Sequence, residues 1–133
     1  MKKGFHVDIE TKTISNTDFR RVLYTAEHLQ LVLMSLKPGQ EIGSEVHKEN
    51  DQFFRVEEGT GKVIISDETY VVSAGDTIVV PAGAEHNIIN TSDSASLQLY
   101  TLYAPPHHKD GVRHSTKEDA ENDEEKFDGT TTE

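Results

Sequence analysis

Short apolar runs rich in Val, Ile, Leu, Tyr and Phe recur from Phe5 to Tyr103, broken at close spacing by Gly, Pro, Asn, Asp and Ser. Such a rhythm predicts an all-β sandwich or barrel. The predicted strands are Phe5–Ile9, Arg21–Thr25, Leu29–Leu36, Gln52–Glu57, Lys62–Ser66, Thr69–Val72, Thr77–Val80, His86–Asn90 and Ser96–Tyr103. The segments Lys37-Pro38-Gly39, Glu58-Gly59-Thr60-Gly61, Ser66-Asp67-Glu68 and Ala74-Gly75-Asp76 supply the residues that reverse a chain. Leu29–Leu36 and Ser96–Tyr103 carry apolar side chains on both parities, which predicts burial on both faces. One face would fill a barrel and the other would meet a second sheet or subunit.

The pattern changes after Tyr103. Ala104-Pro105-Pro106 ends strand pairing, and His107-His108-Lys109-Asp110-Gly111 reads as a crossing or loop. Ser115 with Glu118 three residues on is a capping box. It predicts a helix over Thr116–Lys126, with Asp128-Gly129 as its stop. At 133 residues the chain has room for one core. The expected organisation is a β-barrel domain with N-terminal strands over residues 1–114 and an acidic C-terminal helix and tail over residues 115–133.

Charge narrows the partners. The net charge is −11, from 24 acidic and 13 basic residues, and residues 115–133 hold −6 of it. This balance argues against nucleic acid and anionic membranes, which need a basic surface. The acidic run itself reads as a solvated face. With no cysteine, disulfides, thiolate metal sites and cysteine nucleophiles are excluded. No apolar run approaches a membrane span, and the N-terminal ten residues lack an apolar signal core. A cytoplasmic protein is the expectation.

The chemistry concentrates between Pro38 and Asn90. Gly39, Glu45, His47, Gln52 and Gly59 stand at the intervals G-x5-E-x-H-x4-Q-x6-G. Gly75, Pro81, Gly83, His86 and Asn90 follow at G-x5-P-x-G-x2-H-x3-N. These ten positions resemble the two motifs of the cupin superfamily, whose first motif is G-x5-H-x-H-x4-E-x6-G. The likeness extends to small single-domain cupins of the mannose-6-phosphate isomerase-like group, through Asp51-Gln52-Phe53-Phe54, Val56-Glu57-Glu58-Gly59 and Tyr103-Ala104-Pro105-Pro106-His107-His108. It implies a double-stranded β-helix, the cupin jelly-roll barrel, with a short C-terminal helical tail.

The resemblance also implies one divalent metal ion, with Zn, Mn or Fe foremost, held by Glu45, His47, Gln52 and His86. Glu45 and His47 are two apart, so an extended segment turns both to one side. Two departures matter: Glu45 stands at the motif's first His, and Gln52 at its Glu. The formal ligand charge stays at −1, while fewer imidazoles and a neutral amide lower affinity for late first-row metals. Type I phosphomannose isomerases use the same ligand types in a different order. The alternative is a barrel without its metal, in which the four form a buried polar network.

For His6, His28, His107, His108 and His114 the simplest role is surface or turn, although His107 and His108 could cap the barrel mouth and are the candidates for a general base. Phe53, Phe54, Tyr100 and Tyr103 read as packing residues, Arg55 should face away from the metal, and Arg20, Arg21 and Lys48 read as solvated surface with an anion site as the alternative. The first functional expectation is a metal-dependent enzyme on a small polar substrate, resembling a sugar-phosphate isomerase or epimerase. A cupin dioxygenase and a non-catalytic metal- or small-ligand-binding cupin are the alternatives. Apolar outer strand faces and open sheet edges predict a homodimer.

Overall fold

The computed structural model describes all residues, Met1–Glu133. Eight main strands form two antiparallel sheets: β1 (Arg20–Thr25), β2 (Gln30–Leu36), β3 (Asp51–Glu58), β4 (Thr60–Ile65), β5 (Glu68–Ser73), β6 (Thr77–Val80), β7 (His86–Asn90) and β8 (Leu97–Ala104). A two-residue strand, β9 (Arg113–His114), completes the larger sheet. Its order is β6-β3-β8-β2-β1-β9, and the smaller sheet is β5-β4-β7. The all-β jelly-roll barrel is thus the observed fold. Every predicted strand after Phe5–Ile9 is present, within a residue or two at each end. Val32, Leu33, Leu36, Leu97 and Leu99 are fully buried where β2 and β8 cross the middle of the larger sheet. That placement accounts for their two-sided apolar pattern.

Phe5–Ile9 is not a strand. Phe5 stacks on Tyr24 with ring centroids 5.3 Å apart, and Asp8 caps a short helix, α1 (Ile9–Ser15), by accepting the Thr11 N–H. Gln98 of β8 donates to the carbonyls of Ile14 and Asn16, supplying partners that a helix C-terminus lacks. No helix is long and apolar enough to cross a membrane.

The C-terminal helix, α2 (Lys117–Glu121), is shorter than predicted and is capped by Thr116 rather than Ser115. It stops early because the next carboxylates are committed elsewhere. Asp123 reaches His114 at 2.9 Å, and Glu125 reaches His108. Beyond them the Phe127 N–H donates to His107, Thr132 pairs with Thr25, and Glu133 accepts from Tyr24, Lys3 and Gly4. The acidic segment is therefore a strap bonded to the barrel through a few of its carboxylates, while most of its acidic side chains are exposed, as a solvated face would be.

Asn90 shows how the second motif builds this frame. Its buried amide donates to the carbonyls of Leu36, Lys37 and Ala95 at 2.9 to 3.0 Å, and its oxygen accepts from Ser92. The side chain ties the turn after β2 to the β7–β8 loop at one end of the barrel.

Candidate functional site

A cavity of about 10 Å³ inside the barrel is bordered by Glu45, His47, Gln52 and His86 together with Arg20 and Tyr103. That is room for one water or one ion. Backbone pairing explains why distant residues meet there. Glu45 and His86 exchange reciprocal N–H to carbonyl bonds, both 2.9 Å, and the His47 carbonyl accepts from Gly83. Gln52 of β3 lies between Val80 of β6 and Tyr103 of β8 in the sheet register.

The donor atoms are individually informative. His86 Nδ1 lies 3.0 Å from the Ala84 carbonyl, which can only accept; Nδ1 therefore carries a proton, and in the neutral imidazole the lone pair is on Nε2. Gln52 is 2% exposed, and its amide nitrogen donates to Thr101 Oγ1. Its Oε1 is buried with no hydrogen-bond partner, an arrangement that costs stability unless something fills the acceptor. Glu45 and His47 sit 2.9 Å apart, as their two-residue spacing predicted.

Burial pushes the Glu45 carboxyl upward, but the hydrogen bond from His47 and the fields of His47, Arg20 and His86 outweigh it and leave the group below its usual range. No three His, Asp or Glu side chains are drawn together as a finished metal cage. The donor set of two imidazoles, one carboxylate and one orphaned amide oxygen nevertheless fits a divalent ion with nitrogen and oxygen preferences.

Two predicted surface residues belong to this site's wall. The His107 ring stands 4.3 Å from His47 and stacks on Tyr103 at 5.1 Å, centroid to centroid. Burial, with the neighbouring His108 and His47 imidazoles, brings His107 down to about 4, so it is neutral at physiological pH. His108 is buried and both its ring nitrogens are engaged: Nδ1 with Glu125 at 2.5 Å and Nε2 with the Tyr103 hydroxyl at 3.2 Å.

Burial lowers His108 despite Glu125, while the hydrogen bonds from His108 and Lys109 overcome burial and keep Glu125 below its usual range. The pair is consequently a neutral imidazole donating to an ionised carboxylate, leaving Nε2 to accept the Tyr103 proton. His114 is also buried, whereas Arg55 faces away from the cavity as expected and pairs with Glu57. Arg20 was expected at the solvated surface; it is instead buried against the cavity. Its parity with core residue Val22 was the available signal. Tyr103 and Glu125 enter through the third dimension, Tyr103 opposite Gln52 and Glu125 from the strap.

Comparison with known proteins agrees with this architecture. A cupin-domain family model matches residues 32–103. The chain is 44% identical over 124 residues to the uncharacterised protein YrkC of Bacillus subtilis, covering 89% of this chain and 66% of that protein. It is likewise 44% identical over 108 residues to an uncharacterised protein of Acanthamoeba polyphaga mimivirus, covering 79% and 68% respectively. The crystal structure of BH2720 from Bacillus halodurans superposes with a TM-score of 0.89 at 42% identity, covering 91% of this chain and 96% of that one. The chain belongs to the cupin family.

Proposed function

We propose that this cupin is a divalent-metal-dependent enzyme acting on a small polar molecule, in the manner of a sugar-phosphate isomerase or epimerase. The supporting observation is the orphaned Gln52 Oε1, buried beside His47, Glu45 and the lone pair of His86 Nε2. A bound metal would supply Lewis-acid polarisation of a substrate oxygen. Glu45, His47, Gln52 and His86 are the residues to hold it. His107 is the better candidate for moving a proton, because neither of its ring nitrogens is tied to a partner in the way that both nitrogens of His108 are.

Metal content by mass spectrometry, on protein purified without a metal-affinity tag, tests the reading. Near-stoichiometric metal in the wild type, lost in both Glu45→Ala and His86→Ala, is the expected result. Wild type that is metal-free and cannot be reloaded would defeat it. The direct Glu45–His47 contact favours a second reading in that event, a non-catalytic small-ligand-binding cupin whose polar residues satisfy one another.

We also propose a homodimer. Val71 is 86% exposed on edge strand β5 and Val79 is 64% exposed on edge strand β6, a surface that a second copy could cover. Light scattering should return twice the chain mass, falling to the monomer in a Val71→Lys, Val79→Lys double variant; a monomeric wild type at high concentration would refute it.

A further inference from the structure

Arg20 is a buried arginine with no hydrogen-bonded or ion-paired partner. It comes from β1, is 9% exposed, and neither a hydrogen bond nor an ion pair reaches its guanidinium; its Nε is sealed from solvent without an acceptor. The contrast with Arg55 and Arg113 is informative. Their side chains are 41% and 61% exposed, yet each is paired, with Glu57 and Asp18. An exposed arginine can use water, whereas Arg20, although it feels the charge of Glu45, keeps a buried donor without an acceptor, which costs stability. The Phe19 ring, 5.4 Å from the guanidinium carbon, offers a cation–π contact but no hydrogen-bond acceptor.

The position of Arg20 indicates what would satisfy it. It lines the inner cavity with Glu45, Gln52 and Tyr103, and also an outer vestibule of about 170 Å³ with Phe19, Ile42, Lys117 and Glu121. Arg20, Ile42 and Glu45 border both spaces, so they stand where the two adjoin. A space of that volume accommodates a molecule about the size of benzene.

We propose that Arg20 anchors a small monoanionic carboxylate that enters through this vestibule, with the rest of the molecule turned toward Glu45 and His47. The proposal rests on the metal-site reading above and takes a small carboxylate, in place of the sugar-phosphate analogy, as the substrate class. A guanidinium presents parallel N–H groups that match the two oxygens of a carboxylate. The charge balance favours one negative charge over two. Before any metal is bound, Arg20 and Lys117 are matched one for one by Glu45 and Glu121 across the vestibule, so a single negative charge on Arg20 is offset more completely than a phosphate dianion would be.

Glycolate, inorganic phosphate and neutral ethylene glycol are the probes, titrated by calorimetry into wild type, Arg20→Gln and Arg20→Lys. Metal content and thermal melting are measured on the same samples, and the Arg20 Nε–H resonance of the wild type is followed by NMR. The expected result is glycolate binding that shifts this resonance, weakens about tenfold or more in Arg20→Gln and less in Arg20→Lys, and is absent for ethylene glycol. Phosphate binding more tightly than glycolate would overturn the carboxylate class. Absence of glycolate binding, or equal affinity in wild type and folded Arg20→Gln, would overturn the role of Arg20. The metal is separable: Arg20-dependent binding in chelated protein upholds the anion site even if the metal reading fails. Binding that is lost on chelation but kept in Arg20→Gln overturns the anion site and leaves the metal reading standing.

Discussion

Gly59→Ala should cost about 3–5 kcal/mol of folding stability, read as a fall in denaturant midpoint, against about 1–2 kcal/mol for Gly75→Ala. The two glycines have almost the same backbone, φ +99° at Gly59 and +95° at Gly75, so both substitutions carry the strain of a side chain in the left-handed region. They differ in what a Cβ would meet. At Gly75 the space is open, whereas at Gly59 it would lie 2.5 Å from the Ser96 carbonyl oxygen and 3.0 Å from the Leu97 Cα. Both are backbone atoms, which cannot rotate aside. Leu97 is fully buried at the start of β8, so relief would have to move a core strand. Gly61 repeats the constraint two residues on, with a built Cβ 2.6 Å from the Ile89 carbonyl oxygen and 2.9 Å from Leu97 Cδ2. Equal midpoints for Gly59→Ala and Gly75→Ala would show that the close approach is not what fixes this corner of the barrel.

That contrast marks how far the sequence could be read. The motif interval showed that glycine belongs at both positions, but only the packing of β8 distinguishes a conformational requirement from a steric one. Strands β1 to β8 were legible because their apolar residues alternate or fill both parities between strong turn formers. Helix α1 was not, because a seven-residue segment with four β-branched residues has little helical pattern, and its supports are Asp8 and the distant Gln98. The four metal-ligand candidates were legible as a spacing, and the fold draws them to one cavity. The wall around them was less so. Arg20 carried a parity signal in Val22, whereas nothing in the acidic run separates Asp123 and Glu125 from solvated neighbours until the strap has docked on the buried histidines.

Glu125→Ala is expected to lower stability by about 2–4 kcal/mol at pH 7 and to make the protein more acid-sensitive. The wild-type carboxylate accepts from His108 Nδ1 and from the Lys109 N–H, with the side chains of Glu125 and His108 9% and 7% exposed. Removal strands both donors and loosens the contact that orients His108 toward the Tyr103 hydroxyl. The sign of the pH effect follows from linkage. His108 and His107 are both lowered from the ordinary 6.5, so the unfolded chain takes up protons below that pH which the folded chain refuses. Their contribution is complete above pH 6.5 and declines as pH falls toward the folded values, about 4 for His107, whose partial exposure reduces its share. Glu125 acts in the same direction, its contribution present above its ordinary 4.5 and lost as pH falls through its lowered folded value. In Glu125→Ala this last contribution disappears, but so does the carboxylate that partly offsets the burial of a protonated His108. Below pH 6.5, as pH falls toward the lowered value at which wild-type His108 takes up its proton, the variant should therefore lose stability more steeply than the wild type, measured as Tm against pH. Parallel slopes would mean that the strap is held by its other bonds and that His108 is not governed by Glu125.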